Sequence, residues 1–273
     1  MPEGPLHHDV SAGVADVVID HPPTNLVDGA FIGALIALLD ELERDDEVRV
    51  VVFRSADPDF FLMHGDVRSI LAIPTGTHVA ATEPNVAAAL FERLHRSRLV
   101  SIGVLDGAAR GGGAEFLAAL DLRYGSERAV LGQPEVAMGI LPGAGGTTRL
   151  PHLLGRGRAL DVILTGRDVH ADEAVHLGWL DAVFPSAELD GAVRTRAERI
   201  AAMPGESIAA VKRVVDTSLA SFDAGLVAET DALGVLTAAG RHRARMERFL
   251  AAGGQTREGE TSDFDALLDA MRD

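Results

Sequence analysis

Residues 15–20 (ADVVID) form the first β-branched, apolar stretch, and His21-Pro22-Pro23 stops it. Between residues 28 and 45, Phe31, Leu35, Leu38, Leu39 and Leu42 recur at helical spacing, with acids and Arg44 opposite, which predicts an amphipathic helix. Residues 48–53 (VRVVVF) have the nearly unbroken β-branched character of a strand covered on both faces. Beyond a loop at Asp57-Pro58, residues 61–67 lead into a short helical stretch, and residues 73–84, rich in Pro, Thr, Gly and Ala, read as a loop. Asn85 is placed to cap a helix running to about Arg96. Residues 100–109 (VSIGVLDGAA) predict one strand entering Arg110-Gly111-Gly112-Gly113, with a helix over 114–120 directly behind it. Short strands over 122–125 and 129–132 precede a second glycine-rich turn, Pro142-Gly143-Ala144-Gly145-Gly146, and another helix.

Two strands per helix is more than a simple doubly wound sheet supplies, so the pattern predicts an α/β protein with layered β-β-α turns. No clean sequence repeat marks the layers. From about Ala187 the chain reads helical, with Ile200, Ile208, Val211, Val214 and Val215 in periodic stripes. Residues 253–262 read as a polar linker. Residues 264–271 read as a short amphipathic helix that docks on a neighbouring subunit or on the chain's own core.

Composition narrows the function more than the fold. With 273 residues, 47% of them hydrophobic, the chain suits one large domain or a domain with a helical appendage, and a disordered chain is excluded. Cysteine is absent, which removes disulfides, thiolate nucleophiles and Cys-ligated zinc and fits a reducing cytoplasm. The formal net charge of −16 opposes binding to nucleic acid or to anionic membrane surfaces. Residues 1–9 show no secretory leader and no apolar run is long enough to cross a bilayer, so a soluble, cytoplasmic protein is expected.

The glycine runs suggest a phosphate cradle, but neither GxGxxG nor GxxxxGK[ST] is present. A helix N-terminus behind glycines does leave free N–H groups and a partial positive end, suited to a carbonyl oxygen that gains charge. Glu115, in the first turn of that helix, and Glu135, after Pro134, form a candidate general acid–base pair, though spacing alone does not bring them together. A first-turn glutamate also commonly just complements the helix dipole. His170, Glu173 and His176 do not make HExxH, and the first two have capping-box spacing; no metal site is read, and no GxSxG elbow occurs.

Three segments, VLDGAARGGGAE (104–115), GQPEVAMGILPGAGGTTRL (132–150) and LTGRDVHADEAVHLGWLDAVFP (164–185), together resemble the crotonase, or enoyl-CoA hydratase/isomerase, family, over residues 23–250 or so. The resemblance implies a crotonase-like spiral of ββα turns over residues 1–195 and a helical trimerisation region over 196–273. It implies an acyl-CoA substrate, no cofactor beyond the coenzyme A of that substrate, no metal, and a homotrimer or dimer of trimers. It places the oxyanion-hole amides on Gly65 and Gly112 and assigns Glu115 to the water attacking Cβ and Glu135 to the proton at Cα. Met63, His64, Asp66, Arg68, Gly111, Pro134 and Gly143 fall at substrate-contacting positions. The implied reaction is hydration of a 2-enoyl-CoA; double-bond isomerisation, thioester hydrolysis or idle acyl-CoA binding are the alternatives. Two departures stand out. Leu62-Met63-His64 replaces small residues, with His64 where glycine is usual, so the side chain is expected to narrow the pocket, touch the CoA arm or alter the backbone. The basic C-terminal pattern is changed to MERFL followed by Ala251-Ala252-Gly253.

Overall fold

The computed structural model describes residues 4–76, 78–203, 205–217, 230, 233–240, 242–261, 266, 267, 270 and 271. Its β-branched segments pair into two sheets. Six strands lie in the order β1-β2-β3-β5-β7-β10: β1 (Leu6–Ser11), β2 (Val14–Ile19), β3 (Val50–Ser55), β5 (Val100–Leu105), β7 (Leu122–Ser126) and β10 (Ala182–Phe184). The other four are β4 (Phe60–Leu62), β6 (Ala108–Arg110), β8 (Val130–Gly132) and β9 (Val169–His170), in that order. Pairing is parallel except for the β1–β2 hairpin and the β8–β9 pair.

Each successive turn of chain gives one strand to each sheet: β3 then β4, β5 then β6, β7 then β8. Helices follow these pairs: α1 (Gly29–Leu42) after the β1–β2 hairpin, α2 (Val67–Leu71) and α3 (Val86–Arg96) after β4, α4 (Gly112–Ala119) after β6, and α5 (Gly146–Leu154) with α6 (Arg156–Thr165) after β8. The rest of the chain adds α7 (Ala171–Leu177), α8 (Ser186–Ala201), α9 (Gly205–Thr217), a helical stretch over 233–239, α10 (His242–Ala251) and α11 (Arg257–Thr261). This is the α/β, layered ββα architecture that the apolar pattern predicts.

The central strands β3 and β5 of the larger sheet bury both faces. In β3, Val51 and Phe53 enter the main core while Val50 and Val52 face the second cluster, under Leu189, Val193 and Ala197 of α8. That two-sided burial explains the unbroken apolar run. At the centre of the main core Phe116 of α4 meets Phe31, Phe53, Phe61 and Phe91, with ring centroids 5.1 to 6.3 Å apart. Its neighbour in sequence, Glu115, is fixed in place by the same packing.

Three expectations need correction. Residues 6–11, where the apolar pattern predicts no strand, form β1, whose polar residues pair through backbone with β2. Residues 100–109 are two strands in different sheets, β5 and β6, because the chain turns at Asp106-Gly107; Gly107 has φ +156° and lies against the Asp59 carbonyl. Residues 253–261 are no polar linker: Gln255 and Glu260 are 5% and 3% exposed, and α11 lies within the segment. Leu267 and Met271 dock on the chain's own core, with Met246 and Phe249 against Val67, Met138 and Ile140. The Val214 side chain, Ser262 and Phe264 lie outside the described residues.

Candidate active site

The loop between β4 and α2 is built by backbone bonds to the segment before α1. Met63 N–H donates to Asn25 O (2.7 Å), Val27 N–H to His64 O (3.0 Å) and Asp66 N–H to Val27 O (3.2 Å). Gly113 N–H donates to Met63 O (2.8 Å), tying α4 to the same loop, and a Cβ at residue 113 would lie only 1.8 Å from Leu62 O. Gly111 has φ +54° and ψ −127°, a backbone form open to glycine, and it turns the chain from β6 into α4. The result brings two glycines together: a Cβ on Gly112 would sit 3.0 Å from the Gly65 nitrogen. Neither the Gly65 nor the Gly112 amide has an acceptor among the described residues.

Both glycines line a cavity of about 370 Å³, open to solvent, that Glu115 and Glu135 also face. The structure therefore brings together four of the residues singled out from sequence. Ile32, Ile70, Met138, Ile140 and Leu141 give the cavity an apolar wall, and Asp28 and Asn85 are among its polar lining residues.

Glu115 is 3% exposed. Its Oε1 accepts from Ala144 N–H (2.7 Å) and Gly146 N–H (2.8 Å), so the second glycine-rich turn holds the carboxyl of the first. Burial pushes its pKa up to about 7, against the pull of those two amides and of Arg149. Arg149 is itself buried and paired with Glu92 (2.6 Å). Glu135, also buried, follows Pro134 in the turn after β8; with its amide nitrogen turned toward the carboxylate, Gln133 donates to Glu135 Oε2 (3.0 Å) and Oε1 (3.2 Å).

His64 lines the cavity too, and its backbone O accepts from Val27 N–H (3.0 Å). The ring stands edge-on to Phe249, centroids 5.3 Å apart, and Nε2 lies 3.1 Å from Glu260 Oε1. Asp66 and Gly143 also line the cavity. Asp66 caps α2 through Arg68 N–H and Ser69 N–H (3.1 Å each), and Gly143 O accepts from Asn85 Nδ2 (2.6 Å).

The other positions that the resemblance marks for substrate contact are not among the residues lining this cavity. Met63 is buried with Phe60 and Ala108, Arg68 is exposed on α2, Pro134 is buried, and Gly111 sits behind the wall with its N–H given to Gly132 O (2.9 Å). Sequence reasoning missed Ala144 and Gly146 as holders of Glu115, Gln133 beside Glu135, and Gln255 and Glu260. The GAGG turn was the available signal for the first pair; nothing local signals the last. Among the described residues no group of His, Cys, Asp and Glu is arranged to hold a metal ion, and no helix is long and apolar enough to span a membrane.

The sequence pattern of the enoyl-CoA hydratase/isomerase family matches residues 9–250. Among solved structures, the chain is similar to a candidate enoyl-CoA hydratase from Streptomyces avermitilis, at 36% identity over 98% of each chain with a TM-score of 0.88. It is similar to DspI of Pseudomonas aeruginosa at 28% identity, covering 84% of this chain and 94% of that one, with a TM-score of 0.71. An enoyl-CoA hydratase/isomerase from Xanthobacter autotrophicus Py2 shares the fold, with a TM-score of 0.82 at 22% identity over 99% of each chain.

Proposed function

The chain belongs to the enoyl-CoA hydratase/isomerase family, and from that premise we propose that it adds water across the double bond of a 2-enoyl-CoA. The observation that carries the reading is two buried carboxyls, Glu115 and Glu135, on one apolar cavity beside the acceptor-free amides of Gly65 and Gly112.

The thioester carbonyl accepts from the Gly65 and Gly112 N–H groups. As water adds at Cβ, electron density moves onto that oxygen, and donors already fixed by the fold stabilise it with no reorganisation. Glu115, ionised, takes the proton of the attacking water; a pKa of about 7 keeps it basic and still able to release that proton near neutral pH. Glu135, which starts as the acid, delivers its proton to Cα of the enolate, and exchange with solvent then takes the proton from Glu115 and returns one to Glu135. The carbonyl is re-formed, and the 3-hydroxyacyl thioester leaves with atoms and charge balanced. The coenzyme A of the substrate is the only cofactor-like group the scheme uses. Residues 196–273 serve, in this reading, to join chains into a homotrimer or a dimer of trimers in the cytoplasm.

Glu115→Gln and Glu135→Gln keep size and remove the proton-transfer function. Each is expected to lower turnover by about 10²–10⁴, the range for general acid–base groups. Steady-state kinetics on a series of trans-2-enoyl-CoAs tests this, and unchanged rates in both variants would remove the two acids from the mechanism.

A further inference from the structure

Val27 holds the peptides on both sides of Gly65, and a distant segment of the chain adds a further bond to the second. On the N-terminal side, His64 O accepts from Val27 N–H (3.0 Å). On the C-terminal side, Asp66 N–H donates to Val27 O (3.2 Å), and Gly65 O also accepts from Gln255 Nε2 (3.1 Å), a contact across 190 residues. Gly65 has no side chain to fix it, and a Cβ there would meet only Ile70 Cδ1 at 3.9 Å, so these bonds set the direction of its N–H.

The segment that brings Gln255 is itself locked to His64. Glu260 Oε1 accepts the Gln255 N–H (2.9 Å) and lies 3.1 Å from His64 Nε2, and Glu260 Oε2 lies 3.8 Å from Arg110, which also grips Asp168 through two bonds of 2.8 and 2.7 Å. The side chains of His64 and Glu260 are 3% and 0% exposed. Burial by itself would push the Glu260 carboxyl up, but the charge and hydrogen bond of His64, the Gln255 amide and Arg110 together hold it below its ordinary value. A buried carboxylate is costly unless its partners are all in place, so the arrangement specifies one geometry.

We infer that His64, Gln255 and Glu260 are positioning residues that orient the Gly65 amide of the oxyanion hole, which makes residues 255–260 a working part of the site. The inference rests on the thioester reading above. It also gives a job to the histidine that stands where the family usually has glycine.

The test uses the full-length protein and a dimethylaminocinnamoyl thioester of coenzyme A, whose absorption moves to the red when its carbonyl is polarised. The wild type is expected to shift the band. Glu260→Gln and Gln255→Leu are expected to lose at least about half of that shift and about tenfold in kcat, while the Kd of the probe and KM stay within about threefold, since ground-state contacts to the CoA arm are untouched. Arg257→Ala is the control: it removes the α11 ion pairs to Asp57 and Asp59 without touching Gly65, and is expected to leave the shift intact. If Glu260→Gln fails to fold, Gln255→Leu, which removes only a neutral donor, carries the test.

Equal shifts in wild type and both variants would overturn the inference. So would loss of the shift in Arg257→Ala, since general loosening of α11 would then explain the effect. A wild type that binds the probe with no shift at all would overturn the oxyanion-hole reading and the inference with it. A wild type that shifts the probe but hydrates no enoyl-CoA would overturn the hydratase reading alone, and the variants' shifts would still decide the positioning roles.

Discussion

Glu115 is a carboxyl whose burial raises its pKa to about 7 while two amides keep its geometry fixed. Acting as the base on water, it must be ionised, so kcat/KM for hydration is expected to fall as pH drops through about 7, a limb that a pH–rate profile measures. The same shift has a consequence for stability. The folded pKa lies above the ordinary value of 4.5, so the ionised form is the disfavoured one in the folded state. The cost is absent below pH 4.5, grows between 4.5 and about 7, and is complete above that, at about 3 kcal/mol. Urea unfolding of Glu115→Gln is therefore expected to show the variant gaining on the wild type by a few kcal/mol between pH 4.5 and pH 8. A constant difference across that range would contradict the assignment. Glu115 and Glu135 were legible in the sequence because glycine turns and a proline surround them. Glu260 was not: an acid in a Gly-, Gln- and Thr-rich tail reads as solvated, and its burial comes from a histidine 196 residues away.

The key element is α4. Gly103 in β5 lets it press on the sheet, since a Cβ there would lie 2.3 Å from Leu117 Cδ1, and Gly113 lets it touch the β4 strand, where a Cβ would lie 1.8 Å from Leu62 O. Phe116 anchors it among four other phenylalanines. Gly113→Ala is expected to cost at least about 3 kcal/mol, because the obstacle is backbone and cannot swing aside as a side chain would. Chemical denaturation checks this, and a cost below about 1 kcal/mol would contradict the packing described. Helices were well marked by sequence: Asn85 caps α3 at Ala88 N–H (3.0 Å), and α1 buries all five of the apolar residues that predict it. The strand over 100–109 was not, because a run of apolar residues has the same look whether it lies in one sheet or crosses at Asp106-Gly107 into another.

For the molecule as a whole, the ββα layering was legible from two strands preceding each helix, while the way the C-terminus folds back was not. Met246, Phe249, Leu267 and Met271 pack on α2 and the turn after Glu135, so the end of the chain backs two of the elements that line the cavity. The proposed oligomer is checked by sedimentation equilibrium, with an expected mass three or six times the 28.7 kDa of one chain; a monomer at micromolar concentration would contradict that part of the reading. The reaction itself is tested most directly by product identity. Purified protein is mixed with trans-2-enoyl-CoAs of several chain lengths, the conjugated enoyl thioester absorbance is followed, and the product is weighed by mass spectrometry. Hydration predicts bleaching of the chromophore and a thioester heavier by one water. An unbleached chromophore at every chain length, a product of unchanged mass, or release of free coenzyme A would contradict it.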